Sequence, residues 1–364
     1  MRMGGNRDML PEVAPAAPRW RRVWLWLGVL AAAGVLVALV VVTSALARWW
    51  SGPQAIRVGR GPDALAVTPD GRTLYAADWG RPGLWKRNAD TVTPVSVATG
   101  MPGDPIRVGN QPHALAMTTD GRTLYVAANN GTVTPVTVAI GTPRDPIRLG
   151  GDPGAMTVTP DGRTLYVASI TQSTVIPVSV ATSAPGTPIR VPAVPAALAM
   201  TPDGRILYVA SDPAGTVTPI DVATGIPDRP IHVGSAPVAL VMAPDGRTLY
   251  VIINGDEGPD VPGAHLVIPV STASGIAGTP IRLGSGPLAA AVAPDGRTLF
   301  VAGSDDTITP VNVAAGTAGH AFRVVPILDG NWGDTVAAAV TPDGRTLYVA
   351  DESQNAVAAI SLQP

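Results

Sequence analysis

From Ala64 onward short apolar runs alternate with turns built from Pro, Asp and Gly, at the spacing of strands rather than of helices. Ala64-Leu65-Ala66-Val67 leads into Thr68-Pro69-Asp70-Gly71, where Pro presets φ, Asp accepts local backbone hydrogen bonds and Gly takes the left-handed position. This is the chemistry of a hairpin. Thr73-Leu74-Tyr75-Ala76-Ala77 forms the second strand, residues 91–97 the third and, after an Ala-Thr-Gly punctuation, Ile106-Arg107-Val108 the fourth. The turn returns around Asp120, Asp161, Asp203, Asp245, Asp295 and Asp343, giving seven units 41 to 50 residues apart. Such a period denotes a solenoid, an array or a propeller.

The fourth strands decide between these. They recur at Ile106, Ile147, Ile189, Ile231, Ile281 and Phe322, whereas the seventh unit stops after its third strand. Ile56-Arg57-Val58-Gly59 matches Ile106-Arg107-Val108-Gly109 but has no first three strands before it. A ring in which this N-terminal strand completes the last sheet accounts for both the surplus and the deficit, and leaves no open ends to cap. The expected fold is therefore all-β, a seven-bladed β-propeller with four-stranded blades, over residues 55–364. One feature opposes it. Pro94, Pro135, Pro177, Pro219, Pro269 and Pro310 fall within third strands, where a missing N–H removes a ladder bond. A bulge, or a strand that starts only after the proline, would reconcile them.

Ahead of the repeats the pattern changes. Residues 23–47 run without a charge for 25 positions, longer than the roughly 30 Å bilayer core requires of a helix. Trp20, Trp24 and Trp26 stand at one end of this run and Trp49 and Trp50 at the other, as interfacial aromatics do. Arg2, Arg7, Arg19, Arg21 and Arg22 precede it and only Arg48 follows closely, so positive charge keeps the N-terminus inside. The expected order is a cytoplasmic tail (1–22), a transmembrane signal anchor (23–47), a linker (48–54) and an extracytoplasmic propeller. A signal peptide cut after Ala47 is the alternative, since Ala45-Leu46-Ala47 fits the small-residue pattern.

Leu-Tyr-Val-Ala after a Pro-Asp-Gly turn, Val-Thr-Pro-Ile-Asp-Val-Ala-Thr-Gly at residues 217–225 and the Pro-Ile-Arg-Val-Gly phrase resemble the YVTN-repeat seven-bladed propellers. The resemblance covers about 310 of the 364 residues, with Tyr-Val-Ala in place of Tyr-Val-Thr-Asn at Tyr125, Tyr166, Tyr208 and Tyr348. It implies a propeller fold and leaves activity open, because the family mixes exported proteins of unknown role, surface-layer-like proteins, a periplasmic single-stranded DNA binder and lactonases.

Composition narrows the chemistry. Zero Cys excludes disulfides, thiolate metal sites and Cys nucleophiles. From residue 49 onward 25 acids face 19 bases, and phosphate binding by a surface so charged is opposed, as is base stacking at 4% aromatic residues. Three loops exceed the basal repeat, between Asp78 and Asp90, between Asn254 and His265, and between Pro326 and Thr335, all at the end of the ring opposite the Pro-Asp-Gly turns. They hold the remaining tryptophans, Trp79, Trp85 and Trp332, and the acidic trio Asp256, Glu257 and Asp260. Asp305-Asp306 and Asp351-Glu352 add acid to the same end. Insertions on one rim of a rigid scaffold are where binding residues go. The acidic trio lacks EF-hand spacing, and no His pair has metal-ligand spacing, so no metal or cofactor is expected. His113, placed in a loop near the axis, could form an acid/base pair with acidic loop residues, as a lactonase-like hydrolase requires. The expectation is a non-enzymatic scaffold that holds a protein, peptide or cell-envelope ligand at Trp79, Trp85, Trp332, His113, Asp256, Glu257 and Asp260.

The aromatic stripe of Tyr75, Tyr125, Tyr166, Tyr208, Tyr250, Phe300 and Tyr348, in register with the repeat, is expected to pack between blades.

Overall fold

A computed structural model describes residues 54–80, 90–234, 236–255, 265–324 and 335–362. The chain divides into two units, residues 1–51 and residues 52–364; the second is an all-β ring of seven antiparallel sheets. The run at 23–47 lies outside the described residues, among which no helix is long and apolar enough to cross a membrane.

Blade 1 shows the plan. Its strands Pro62–Val67, Thr73–Asp78, Thr91–Ser96 and Ile106–Arg107 are hydrogen-bonded in sequence order from the inner to the outer edge. In blade 7 the outer place is taken by Gln54–Arg57, antiparallel to Ala356–Ser361 with Ile56 opposite Val357. The ring is closed as the count of fourth strands requires, and the closing strand starts one residue ahead of the expected boundary.

Three kinds of contact join the blades. In every unit the aromatic residue of the second strand packs on the Leu and the next-but-one residue of the following blade's second strand. Tyr75 meets Leu124 and Val126, Tyr125 meets Leu165 and Val167, and Tyr348 meets Leu74 and Ala76 across the closing seam. All seven aromatics are at most 8% exposed, and burial of each contributes about 2 kcal/mol. At the outer edge, the left-handed glycines Gly100, Gly141, Gly225 and Gly275 sit against Ile56, Ile106, Ile189 and Ile231 of the preceding blade. At the base, each turn glycine faces the preceding blade's turn: Gly121 faces Pro69, Gly204 faces Pro160, Gly246 faces Pro202 and Gly71 faces Pro342, while Gly162 faces Thr119.

Gly246 carries both constraints at once, with φ of 70° and a Cβ position 3.0 Å from Pro202 Cδ. Gly246→Ala is therefore expected to destabilise the ring by about 1–3 kcal/mol. An unchanged unfolding midpoint would show that this basal circle is not under constraint.

The third-strand prolines need neither a bulge nor a late strand start. Pairing runs unbroken from Thr73 opposite Ser96 to Asp78 opposite Thr91, with Pro94 opposite Tyr75. The Pro94 carbonyl accepts a hydrogen bond from Gly103 N–H at 2.7 Å on the outer side. An antiparallel residue presents its N and O to the same side, so the missing N–H also faces outward, beyond the two-residue outer strand. Pro135, Pro177, Pro219, Pro269 and Pro310 accept the same 2.7 Å bond, from Arg144, Gly186, Asp228, Gly278 and Gly319. The bulges lie elsewhere, at the start of the inner strands, and they shape the site.

Candidate functional site at the axial mouth

Each inner strand begins at the end of the ring that carries the long loops, and there its register with the second strand slips. The slip falls between Pro62 and Ala64, Pro112 and Ala114, Pro195 and Ala197, Pro237 and Ala239, Pro287 and Ala289, and Thr335 and Ala337, and in blade 3 between Pro153 and Met156. A bulge frees one residue from the ladder and re-aims its side chain. The freed residues are Asp63, His113, Gly154, Ala196, Val238, Leu288 and Val336 in blade order. Only blades 1 and 2 place ionisable groups there, so one corner of the mouth is polar and the remainder is small or aliphatic.

That corner is built from four blades. His113, the second residue of the strand Pro112–Met117 rather than a loop residue, directs Nε2 at the Pro153 carbonyl of blade 3 at 2.6 Å. Its Nδ1 lies 3.2 Å from the Gln111 carbonyl. The tautomer protonated on Nε2 donates the shorter bond. Gln111 has φ of 57°, a left-handed conformation costly for a residue with a side chain, and its N–H is held by the Asp90 carboxylate at 3.0 Å. In blade 1, burial raises the pKa of Asp63 to about 6, with His113 pulling it down and Glu352 pushing it up. Asp63 therefore feels charges from both neighbouring blades.

Trp79 adjoins this corner. Its N–H donates to Gly61 O at 2.8 Å, and Gly61 N–H donates to Asn355 Oδ1 of blade 7 at 3.0 Å. A Cβ on Gly61 would stand in ordinary contact, 3.4 Å from Glu352 Cγ, so it is the left-handed φ of 60° that calls for glycine beside the blade 7 side chain. Beneath Trp79, Asp78 is fully buried, accepting hydrogen bonds from Thr91 Oγ1 at 3.0 Å and Thr93 Oγ1 at 2.6 Å. Burial raises its pKa to about 7 against the lowering effect of these hydroxyls and of Gly59 N–H.

Of the residues singled out from the sequence, His113 and Trp79 both lie at this end of the ring, in adjacent blades 2 and 1, whereas Trp85, Trp332, Asp256, Glu257 and Asp260 lie outside the described residues. Asp63 was missed, although aligning the residue after the inner-strand proline in each unit sets Asp63 and His113 apart from apolar or small equivalents. The other histidines are remote from one another in the repeat: His232 ends an outer strand, His265 begins a third strand and His320 lies in a turn at the opposite end. Among the described residues no group of three or more His, Asp or Glu is arranged to hold a metal ion. The mouth offers a carboxyl whose burial raises its pKa to about 6 and an imidazole, among bulge positions that are otherwise small or aliphatic.

No protein-family model matches the chain, and no curated protein does. Solved structures do. Hydrazine synthase of Kuenenia stuttgartiensis is similar with a TM-score of 0.72 and 20% identity over 86% of this chain and 98% of that one. The β-propeller domain of Cps50 (Swd1) from Myceliophteria thermophila is similar with a TM-score of 0.70 and 14% identity over 85% and 98%. At such identities the likeness shows the propeller fold alone.

Proposed function

We propose that the chain is a membrane-anchored, extracytoplasmic propeller of the YVTN-repeat type, and that it binds a protein, peptide or cell-envelope ligand at the axial mouth without chemical conversion. The observation that carries this reading is the asymmetry of the bulge positions. The same backbone device recurs in all seven blades, yet ionisable side chains occupy it only at Asp63 and His113, beside Trp79 and next to the long loops. A scaffold role alone leaves those two positions free to be aliphatic like the rest. The charged run 1–22 and the apolar run 23–47 support the anchor and its orientation.

The test is capture from a cell-envelope extract by the immobilised chain. A chain carrying Asp63→Asn with His113→Gln is expected to lose the main captured species about tenfold, as removal of a central polar contact does. Loss is also expected for Trp79→Ala combined with Trp85→Ala and Trp332→Ala. Equal capture by all three forms moves the site off this mouth.

A second reading, lactonase-like hydrolysis, rests on the electrostatic coupling of Asp63 with His113 and requires the imidazole to turn away from the Pro153 carbonyl. Lactone turnover that disappears in His113→Ala would replace binding with catalysis.

A further inference from the structure

The end of the ring opposite the mouth carries an apolar pattern that the core does not use. The four most exposed large apolar side chains in the described residues are Ile140 (72%), Met101 (67%), Ile276 (66%) and Ile226 (64%). All four lie in the turns that join third strands to outer strands, and so share one end of the ring with the Pro-Asp-Gly-Arg turns. Three of them hold the same repeat position: Met101, Ile226 and Ile276 each follow a left-handed glycine, namely Gly100, Gly225 and Gly275. Packing explains the glycines, which cover the preceding blade's isoleucine, but not the apolar residue displayed after them.

The course of the closing strand says what covers this face. The closing strand runs from Gln54 at the turn-bearing end towards Arg57 at the mouth, because it is an outer strand. Gln54 Oε1 lies 3.9 Å from the Cβ position of Gly100, the residue before Met101. Six residues, 48–53, separate the apolar run from Gln54, and an extended chain of that length reaches about 20 Å. A bilayer holding residues 23–47 is thus within reach of the face that carries Met101.

We infer that this turn-bearing face lies on the lipid surface, with Met101, Ile140, Ile226 and Ile276 seated among the headgroups, and that the mouth with Asp63 and His113 points away from the membrane. The inference rests on the anchor reading proposed above. Around the four apolar residues, the seven turn Asp residues are matched by seven turn Arg, and Asp104, Asp145, Asp221 and Asp228 outnumber Arg144 and Arg229, so the face has no cationic excess to hold an anionic surface. Its seating is therefore driven by apolar contact and gains nothing from anionic lipid.

Because the chain has no Cys, Met101→Cys and Ile226→Cys can each be labelled singly with a polarity-sensitive fluorophore, with Ser304→Cys, exposed near the mouth, as the reference. The full chain is compared in phosphatidylcholine vesicles and in detergent micelles. Labels at 101 and 226 are expected to shift to the blue in vesicles and to lose iodide quenching about threefold, as groups entering the interface do, while 304 stays accessible. Adding anionic lipid should strengthen neither effect. Labels at 101 and 226 as open to iodide as 304, in a chain that resists carbonate extraction, overturn the seating and leave the anchor standing. Release by carbonate overturns both.

Discussion

A chain that begins at residue 61 is expected to unfold about 10 °C below one that begins at residue 52, because the first lacks the strand that closes the ring. Gln54–Arg57 contributes a four-residue ladder to Ala356–Ser361, and Ile56, 5% exposed, packs with Leu74, Val95, Tyr348 and Val357 across the seam of blades 7 and 1. Removing it exposes about one apolar side chain, worth roughly 2 kcal/mol, strips the cover from Val357 and opens a sheet edge, so a total near 5 kcal/mol is reasonable. For a domain of this size each kcal/mol moves the midpoint by about 2 °C. Ile56→Asp in the longer chain isolates the seam from loss of the Gly59 and Arg60 contacts, and should reproduce more than half of the effect. If the two chains melt together and Ile56→Asp is silent, the ring does not depend on its N-terminal strand.

Asp78 is expected to make stability fall as pH rises from about 4 to about 7. In the unfolded chain its carboxyl titrates at 3.8, and in the folded chain at about 7, because burial opposes the charged form. Between these values the folded protein binds more protons than the unfolded one, so stability is fully present below the lower value and is lost as pH climbs through the upper one. At about 1.4 kcal/mol per pH unit the upper bound of the loss is about 4 kcal/mol. Asp78→Asn keeps an acceptor for Thr91 and Thr93 and removes the charge. It should raise the midpoint at pH 8 by roughly 5 °C and flatten the decline. Asp78→Ala should do the opposite at every pH, leaving two buried hydroxyls without their acceptor. A decline that persists unchanged in Asp78→Asn assigns it to Asp63 or to another group.

The sequence by itself determined the strands, the number of blades and the closure, because each depends on residues a few positions apart or on a count. The short apolar runs, the Asp-Gly turns between them and the unmatched Ile56-Arg57-Val58-Gly59 phrase are local signals that together leave one architecture. His113 and Trp79 also stand out in the sequence, the first as a histidine at a position that is small or aliphatic in five of the seven units, the second as an indole at the start of an over-long loop. Three things were decided only by the tertiary structure. Whether a third-strand proline breaks the ladder depends on which side its nitrogen faces, and only the short outer strand settles that it faces outward. The circle of turn glycines against the preceding blade's prolines exists only once the blades are stacked. The polar corner joins Asp63, His113 and Glu352 from blades 1, 2 and 7. Asp63 and Glu352 are far apart in the chain, and ring closure places them within electrostatic reach. A repeat pattern specifies each blade and each seam, but the meeting of unlike residues at an axis follows from the geometry of the closed ring.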